Sequence, residues 1–467
     1  MIWLRRDLRL HDSAAVHWAL QRGLAPLFAY VFDDRLLNGR FASPSRTAFM
    51  LAGLRSLQRD LEGLGGRLVV ASGQPEAEIA RLARALDVES VVGNRDYSPY
   101  ARVREARVES ALEPIPLTLV QDRLLVEPWD IESTSGKPYT VYTPFKTRWR
   151  SVPKSNREPL AYDLRGKLAE IPDEHAGALP ALDMFGMTND IPLPAAGEDA
   201  AADRLSTFLD DRIFAYRDTR NRLADPFDAN SGTSSLSPYI RWGMTSPRQI
   251  RAAAADAYRE APDDEARASV VAWMDEIIWH EFYTHILWHF PDVTRRNFNS
   301  AYDGVPWRDA GDEFDEWAEG RTGFPVVDAA MRQLSATGWM HNRARMIVAS
   351  FLTKDLLIHW RHGEAHFMRY LLDGDIAPNN GGWQWAASTG TDAQPYFRIF
   401  NPVNQSERFD PDGSFIRRWV PELADVPAKY LHAPWEAPES PRDYPPPMVD
   451  HRDARLRALN AFKGAKS

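Results

Sequence analysis

The feature that most constrains this chain is a change of rhythm along its length. Residues 1–121 alternate short apolar runs at 2–4, 26–32, 67–71, 90–92 and 116–120 with amphipathic stretches at 14–22, 45–63, 75–86 and 99–112. Strands that alternate with helices make a parallel sheet, because each parallel pair needs a long crossover and a helix is the compact way to build one. From about residue 201 a helical period takes over. Val348, Phe351, Leu352, Leu356 and Trp360 recur at three- and four-residue spacing, as one buried helix face requires. The expected fold is therefore α/β over 1–125, a Rossmann-like parallel sheet with helices on both faces. A connector follows over 126–200, then a mainly α-helical region over 201–467. Within the connector, 170–197 is rich in Ala, Pro, Asp and Gly and lacks periodicity. Residues 433–447 are rich in proline, and 452–462 read as a last helix.

The α/β half lacks phosphate-cradling signatures: no G-x-G-x-x-G follows a strand, and no G-x-x-x-x-G-K-[ST] occurs. Composition removes whole classes of chemistry. The 467 residues include no cysteine, so disulfides, thiolate metal sites, iron–sulfur clusters and thiol catalysis are excluded. That also favours an intracellular, cytoplasmic setting. No apolar run reaches the ~18 residues of a spanning helix, so no membrane role is expected. Basic and acidic groups balance over the first 130 residues, so the rest carries the net charge of −9. A uniformly basic nucleic-acid binder is excluded; a local basic patch is not. Sixteen tryptophans are many for this length. Large cores account for them, and stacking or electron transfer is the alternative.

Several clusters carry chemistry. His280-Glu281-Phe282-Tyr283-Thr284-His285 imitates the zinc motif H-E-x-x-H, but its second His is one residue late. Positions i and i+5 lie ~140° apart on a helix, so the two rings cannot share one metal. No metal site is expected. On the same helix Trp273, Glu276, Trp279, His280 and Tyr283 line one side. Such a stripe is ordinarily core, yet Glu276 is costly there without a partner. A carboxylate among indoles suits a flat heterocycle. In Gly338-Trp339-Met340-His341-Asn342-Arg343-Ala344-Arg345-Met346 the two arginines point different ways from a helix. One can meet an internal carboxylate and the other a phosphate. The run from Asp373 to Trp385 reads as a polar loop over 373–382 leading into two tryptophans. Gly232-Thr233-Ser234-Ser235-Leu236-Ser237-Pro238 reads as a hydroxyl-rich turn opening a helix, suited to a diphosphate.

Together these motifs resemble the photolyase/cryptochrome family, most closely the class I cyclobutane pyrimidine dimer photolyases of microbes. The resemblance covers essentially the whole chain. It starts at Trp3-Leu4-Arg5-Arg6-Asp7-Leu8-Arg9-Leu10-His11-Asp12 and is densest from Thr337 to Met346 and from Asp373 through Asn401. It ends at Tyr444-Pro445-Pro446-Pro447-Met448-Val449-Asp450-His451. It implies an antenna domain followed by a helical domain holding FAD. The fully reduced flavin would use blue light to pass one electron to a dimer in UV-damaged DNA, splitting it with no net redox change.

The resemblance also assigns roles. Tyr216, Thr233, Ser234, Ser235, Leu236 and Ser237 would grip the FAD phosphates and ribityl chain. Trp273, His280, Asp373, Gly374 and Asp375 would also bind the cofactor, with Arg345 paired to Asp373. Asn379 would sit against flavin N5, where Asn goes with repair enzymes and Asp or Cys with many cryptochromes. Trp383, Trp360 and Trp307 would carry electrons from the surface. Glu276, Trp279, Asn342, Met346 and Trp385 would form the dimer pocket; Arg220, Arg343 and Gln405 would contact the DNA backbone. The chain departs from the family at His280, where an Arg usually helps hold the FAD phosphates. The run Asn94-Arg95-Asp96-Tyr97 lacks the Asn-Glu pair of a folate antenna, which ranks a deazaflavin first as second pigment. A cryptochrome-type photoreceptor is the alternative function. Asn379 and the lack of a long tail oppose it, and Asn342 after His341 opposes a (6-4) photolyase. The protein is expected to act as a monomer.

Overall fold

The computed structural model describes residues 1–133, 135–153, 158–210, 212–223, 231–439 and 441–465. The chain divides into two compact units. Residues 1–214 and 235–291 form one; residues 215–234 and 292–467 form the other. These units cut across the expected division at 125 and 200, because the helices of 235–291 group with the α/β half.

In the first unit, five parallel strands lie in the order β3-β2-β1-β4-β5. They are β1 (Ile2–Leu4), β2 (Phe28–Asp33), β3 (Leu68–Gly73), β4 (Val91–Asn94) and β5 (Leu117–Val120). Both β1 and β2 are buried throughout, which is why they read as unbroken apolar runs rather than as alternation. The helices Ala14–Leu20, Pro44–Gly63, Pro75–Ala85 and Pro99–Leu112 supply the crossovers. Three of them begin at a proline, whose missing N–H costs nothing in a first turn.

The order reverses between β1 and β4, the crevice in which open α/β sheets take ligands. Here it is filled by the protein itself. Arg5 pairs with Glu105 and donates to the Asn94 carbonyl, and Asn94 Nδ2 donates to Asp7 at 2.8 Å. Gly93 makes room, since a Cβ there would lie 2.8 Å from the Arg5 guanidinium. A dinucleotide fingerprint would have no space to work in.

The sheet is tied to the helices of 235–291 by buried charge. Arg9 meets Asp122 at 2.6 Å, and Arg248 meets Asp122 at 2.6 Å and Asp12 at 2.7 Å. Burial alone would raise the Asp122 pKa, yet Arg9 and Arg248 hold it below the carboxylate range. The helix Tyr142–Ser151 lies within the expected connector and escaped the sequence reading; 170–197 holds only short turns.

The second unit is helical. The expected single face from Val348 to Trp360 is buried, but not on one helix. Asn342–Ser350 runs into a π-helical turn at Phe351–Asp355, closed by the Leu356 N–H on the Phe351 carbonyl at 3.0 Å. Leu357 is left-handed at φ 55°, and a new helix, Trp360–Tyr370, begins. The expected polar loop over 373–382 is also corrected: Ile376–Ala387 is a helix, ended by Ser388 at φ 65°. Gly381 and Gly382 weaken it locally, and tertiary polar contacts compensate. Asn380 donates to Glu364 at 2.8 Å, Gln384 donates to Asn380 Oδ1 at 3.1 Å, and the Phe298 N–H reaches Gln384 Oε1 at 2.8 Å. Gly363 lets this helix lie close, for a Cβ there would stand 2.0 Å from the Trp383 ring. The last helix is His451–Gly464. Gly323, at φ 79°, has Pro446 O within 2.2 Å of where its Cβ would be, which seats the proline-rich segment.

Two substitutions test this frame. Arg248→Met leaves Asp12 and Asp122 undercompensated and should lower stability by about 3–5 kcal/mol, read from urea denaturation. Gly363→Ala overpacks the rigid Trp383 ring and should cost about 1–3 kcal/mol by the same measurement.

Candidate functional site

The candidate residues fall on both units. In the first unit, the helix Asp264–His289 carries the stripe. Trp273 is buried, while Glu276, Trp279, His280 and Tyr283 are half-buried, so the stripe ends in partly open surface rather than in core. Trp279 is held on one face by Tyr142, whose ring stacks at 3.5 Å and 7°, and Phe282 meets its edge at 5.6 Å. The Tyr142 hydroxyl donates to the Asp275 carbonyl at 2.9 Å and so fixes the stack. One face of Trp279 is thus occupied, and stacking on a ligand is confined to the other.

Glu281, next to His280, is buried and structural. It accepts the Leu125 N–H at 2.6 Å and the Trp149 Nε1–H at 2.5 Å. His280 lines a cavity with Arg9, Asp122, Arg123, Thr245 and Glu281. His285 bonds the Pro128 carbonyl at 3.1 Å, and burial pushes its pKa down to about 3. Ser235 takes φ 52°, a bend that turns the chain into the short helix Ser237–Trp242, whose cap position is Leu236.

In the second unit, Tyr216 is buried, and Thr233 and Ser234 are half-buried. Ser231 Oγ and Thr233 Oγ1 are 3.0 Å apart, and a Cβ at Gly232 would lie 2.5 Å from the Thr219 backbone. The expected Arg345–Asp373 pair forms at 2.8 Å, and Arg345 Nε also donates to the Met340 carbonyl. Asp373, Gly374 and Asp375 are all buried. Asp373 Oδ1 meets no donor among the described residues. A buried carboxylate oxygen left so is costly unless a further donor arrives, and a flavin ring with its N–H groups is one. The residues present therefore fit a flavin. Asn379 donates to the Glu364 carbonyl at 3.1 Å, which fixes its amide.

Arg343 points away from Arg345, as the spacing implied. Its guanidinium meets Asn221 Oδ1 at 2.8 Å and lies 4.5 Å above the Phe409 ring. Burial first, then Arg220 and Arg408, pull its pKa below the ordinary arginine value. Asn342 is exposed; Met346, Trp385 and Gln405 are half-buried. Trp383 and Trp360 are buried at 2% and 0%, and Trp307 is half-buried. The ring of His359 lies 5.1 Å from Trp307 and 5.5 Å from Trp360. An isolated β-bridge between Arg308 and Ile358 holds these two segments side by side.

Tyr142, Glu281, Glu364, Asn380 and Gln384 were missed by sequence reasoning. Only Glu281 carried a signal, as a carboxylate amid apolar neighbours on a helix.

Comparison with known proteins accords with this arrangement. Residues 1–162 match the DNA photolyase family, and residues 273–464 match the FAD binding domain of DNA photolyase. A deoxyribodipyrimidine photo-lyase of Synechococcus sp. is 41% identical, over 100% of this chain and 97% of its own length. A bacterial class III photolyase from Agrobacterium tumefaciens superposes with a TM-score of 0.89 at 36% identity, covering 100% of this chain and 97% of that one. An archaeal photolyase from Sulfolobus tokodaii, with two FAD molecules, gives 0.83 at 30% identity and 99% coverage of both. The chain belongs to the DNA photolyase family.

Proposed function

We propose that this protein repairs cyclobutane pyrimidine dimers in UV-damaged DNA by light-driven electron transfer, as a deoxyribodipyrimidine photo-lyase. The observation that carries the reading is the buried Asp373 carboxylate, which is paired with half-buried Arg345 and whose other oxygen, without a donor among the described residues, calls for a flavin N–H. Bound FAD supplies, in its reduced and light-excited form, the single electron that splits the dimer and then recovers it. The protein does the rest. Asp373, Gly374 and Asp375 hold the ring side; Tyr216, Thr233, Ser234, Ser235, Leu236 and Ser237 hold the phosphates and ribityl chain, with Trp273. His280 stands in for an arginine there. Asn379, whose amide donates to the Glu364 carbonyl, would be the residue that sits against flavin N5.

The dimer must leave the duplex before it can approach a buried donor, and flipping it out costs about a few kcal/mol of unstacking and unpairing. Trp279 and Trp385 offset that cost by stacking, and Trp279 comes already held flat by Tyr142. Glu276, Asn342 and Met346 complete the pocket, with Glu276 accepting from the lesion bases. Arg220, Arg343 and Gln405 bind the DNA backbone. Trp307, Trp360 and Trp383 resupply electrons from the surface. In functional terms 1–125 is an antenna domain, 126–200 a connector and 201–467 the FAD-binding catalytic domain. The antenna domain would take a second pigment of deazaflavin type. The enzyme would work as a monomer in the cytoplasm.

Reduced, illuminated protein should restore cyclobutane dimers in an oligonucleotide, scored by chromatography. Repair of (6-4) lesions alone, or none, would refute the substrate assignment. Arg343→Ala should weaken damaged-DNA binding several-fold and reduce the slope of log K against log salt by about 0.9, measured by fluorescence anisotropy.

A further inference from the structure

The three tryptophans assigned to electron supply differ in what their indole N–H groups meet. Trp383 is buried, and its Nε1–H finds no acceptor among the described residues. Trp360 is fully buried, and its Nε1–H donates to Asn297 Oδ1 at 2.9 Å. Asn297 is itself buried, and its Nδ2–H donates to Asp303 Oδ1 at 2.8 Å. The second bond decides the amide's orientation: oxygen to the indole, nitrogen to the carboxylate. Asp303 is exposed, so its charge bears no burial cost. Gly363, three residues beyond Trp360, backs directly on the Trp383 ring, so both indoles flank the first turn of one helix.

An indole that has lost an electron is a far stronger donor at N–H, and a hydrogen bond to an ionised group is roughly twice as strong as a neutral one. An acceptor there therefore stabilises the oxidised ring more than the neutral ring. A buried N–H without an acceptor offers no such help, and a charge in apolar surroundings is costly.

We infer that Asn297, polarised by Asp303, is the positioning residue that makes Trp360 a lower-energy seat for the positive hole than Trp383, giving the transfer its direction. This rests on reading the three tryptophans as one chain. The oxidant is photo-excited oxidised flavin, which takes one electron from Trp383. One electron then passes from Trp360 to the Trp383 radical cation, which returns to its closed shell; no bond forms or breaks. An amide oxygen is too weak a base to take the indole proton, so the Trp360 radical stays a mobile cation. Trp307 then gives it one electron and, being half-buried, loses its own N–H proton to water. His359 lies between these last two rings without opposing the hole. Its Nδ1 accepts the Arg361 N–H, and burial, then Arg361 and His362, push its pKa down to about 4, so the ring is neutral.

The test is flash photolysis of FAD-loaded protein carrying Asn297→Leu, Asn297→Asp or Trp360→Phe, with indole ¹⁵N–¹H spectra of each. In Asn297→Leu the Trp360 indole cross-peak, identified by its loss in Trp360→Phe, should move upfield. The hole should shift about tenfold toward Trp383, ~59 mV for one electron, and the yield of long-lived tryptophan radical should fall accordingly. Asn297→Asp supplies a true base and should trap the hole as a deprotonated, neutral Trp360 radical, at the expense of Trp307. If Trp360→Phe abolishes the long-lived radical while both Asn297 variants keep the parental yield and radical type, the relay is refuted and the chain stands. If Trp360→Phe itself keeps the parental yield, the chain reading fails and the relay fails with it.

Discussion

Four buried charges hold the first unit together. Arg9, Asp12, Asp122 and Arg248 are each no more than 2% exposed, and they join residues from the start of the chain, the end of the sheet and the helices of 235–291. Buried ions are expensive, so a network of this kind persists only when each group is matched. Here the matching is close: Arg248 spans both carboxylates, and Arg9 adds a bond to the Gly243 carbonyl at 3.1 Å. The helix bearing Glu276 and Trp279 is built into the same unit, and Glu281 ties it to 125–126. The long N-terminal motif is thus explained by architecture. Its Arg9 and Asp12 are fasteners that let a helical segment far along the chain count as part of the sheet's own unit.

This arrangement also says why some things could be read from the sequence and others could not. The strands β1, β2 and β4 were legible because burial throughout leaves few polar residues to interrupt the run. The Arg345–Asp373 pair was legible through resemblance, and the divergence of Arg343 from Arg345 through helical spacing alone. The Ile376–Ala387 helix was not legible, because its two glycines and two asparagines have weak helix preference. What stabilises it, the Glu364–Asn380–Gln384–Phe298 chain, comes from distant positions. The π-helical turn after Ser350 was hidden for a related reason: apolar spacing is nearly the same whether a residue is inserted or not. Tyr142 stood in what read as a connector, and no local pattern announces a ring that will stack on residue 279.

The chemistry that the family requires sets opposing demands on one chain, and the residues show how each is met. A total charge of −9 opposes a polyanion. Screening limits that opposition to about 8 Å at physiological salt, so a few guanidiniums close together decide local affinity. Burial first, then the nearby Arg220 and Arg408 guanidiniums, pull the Arg343 pKa below the ordinary arginine value. The Phe409 ring under Arg343 and the Asn221 oxygen beside it keep the side chain extended.

A comparable logic governs the aromatic residues. A free indole on the surface would gain from stacking on an extruded base, but it would first have to give up its own rotational freedom, up to ~1–2 kcal/mol for a large side chain. Trp279 has already lost that freedom to Tyr142 and Phe282. The tyrosine is in turn held by the Asp275 carbonyl, one helical turn back from the ring it supports. Asp275 also takes Lys146 and Arg150, so the helix Tyr142–Ser151 is clamped at three points along the same face. The cost of order falls on folding, where the core covers it.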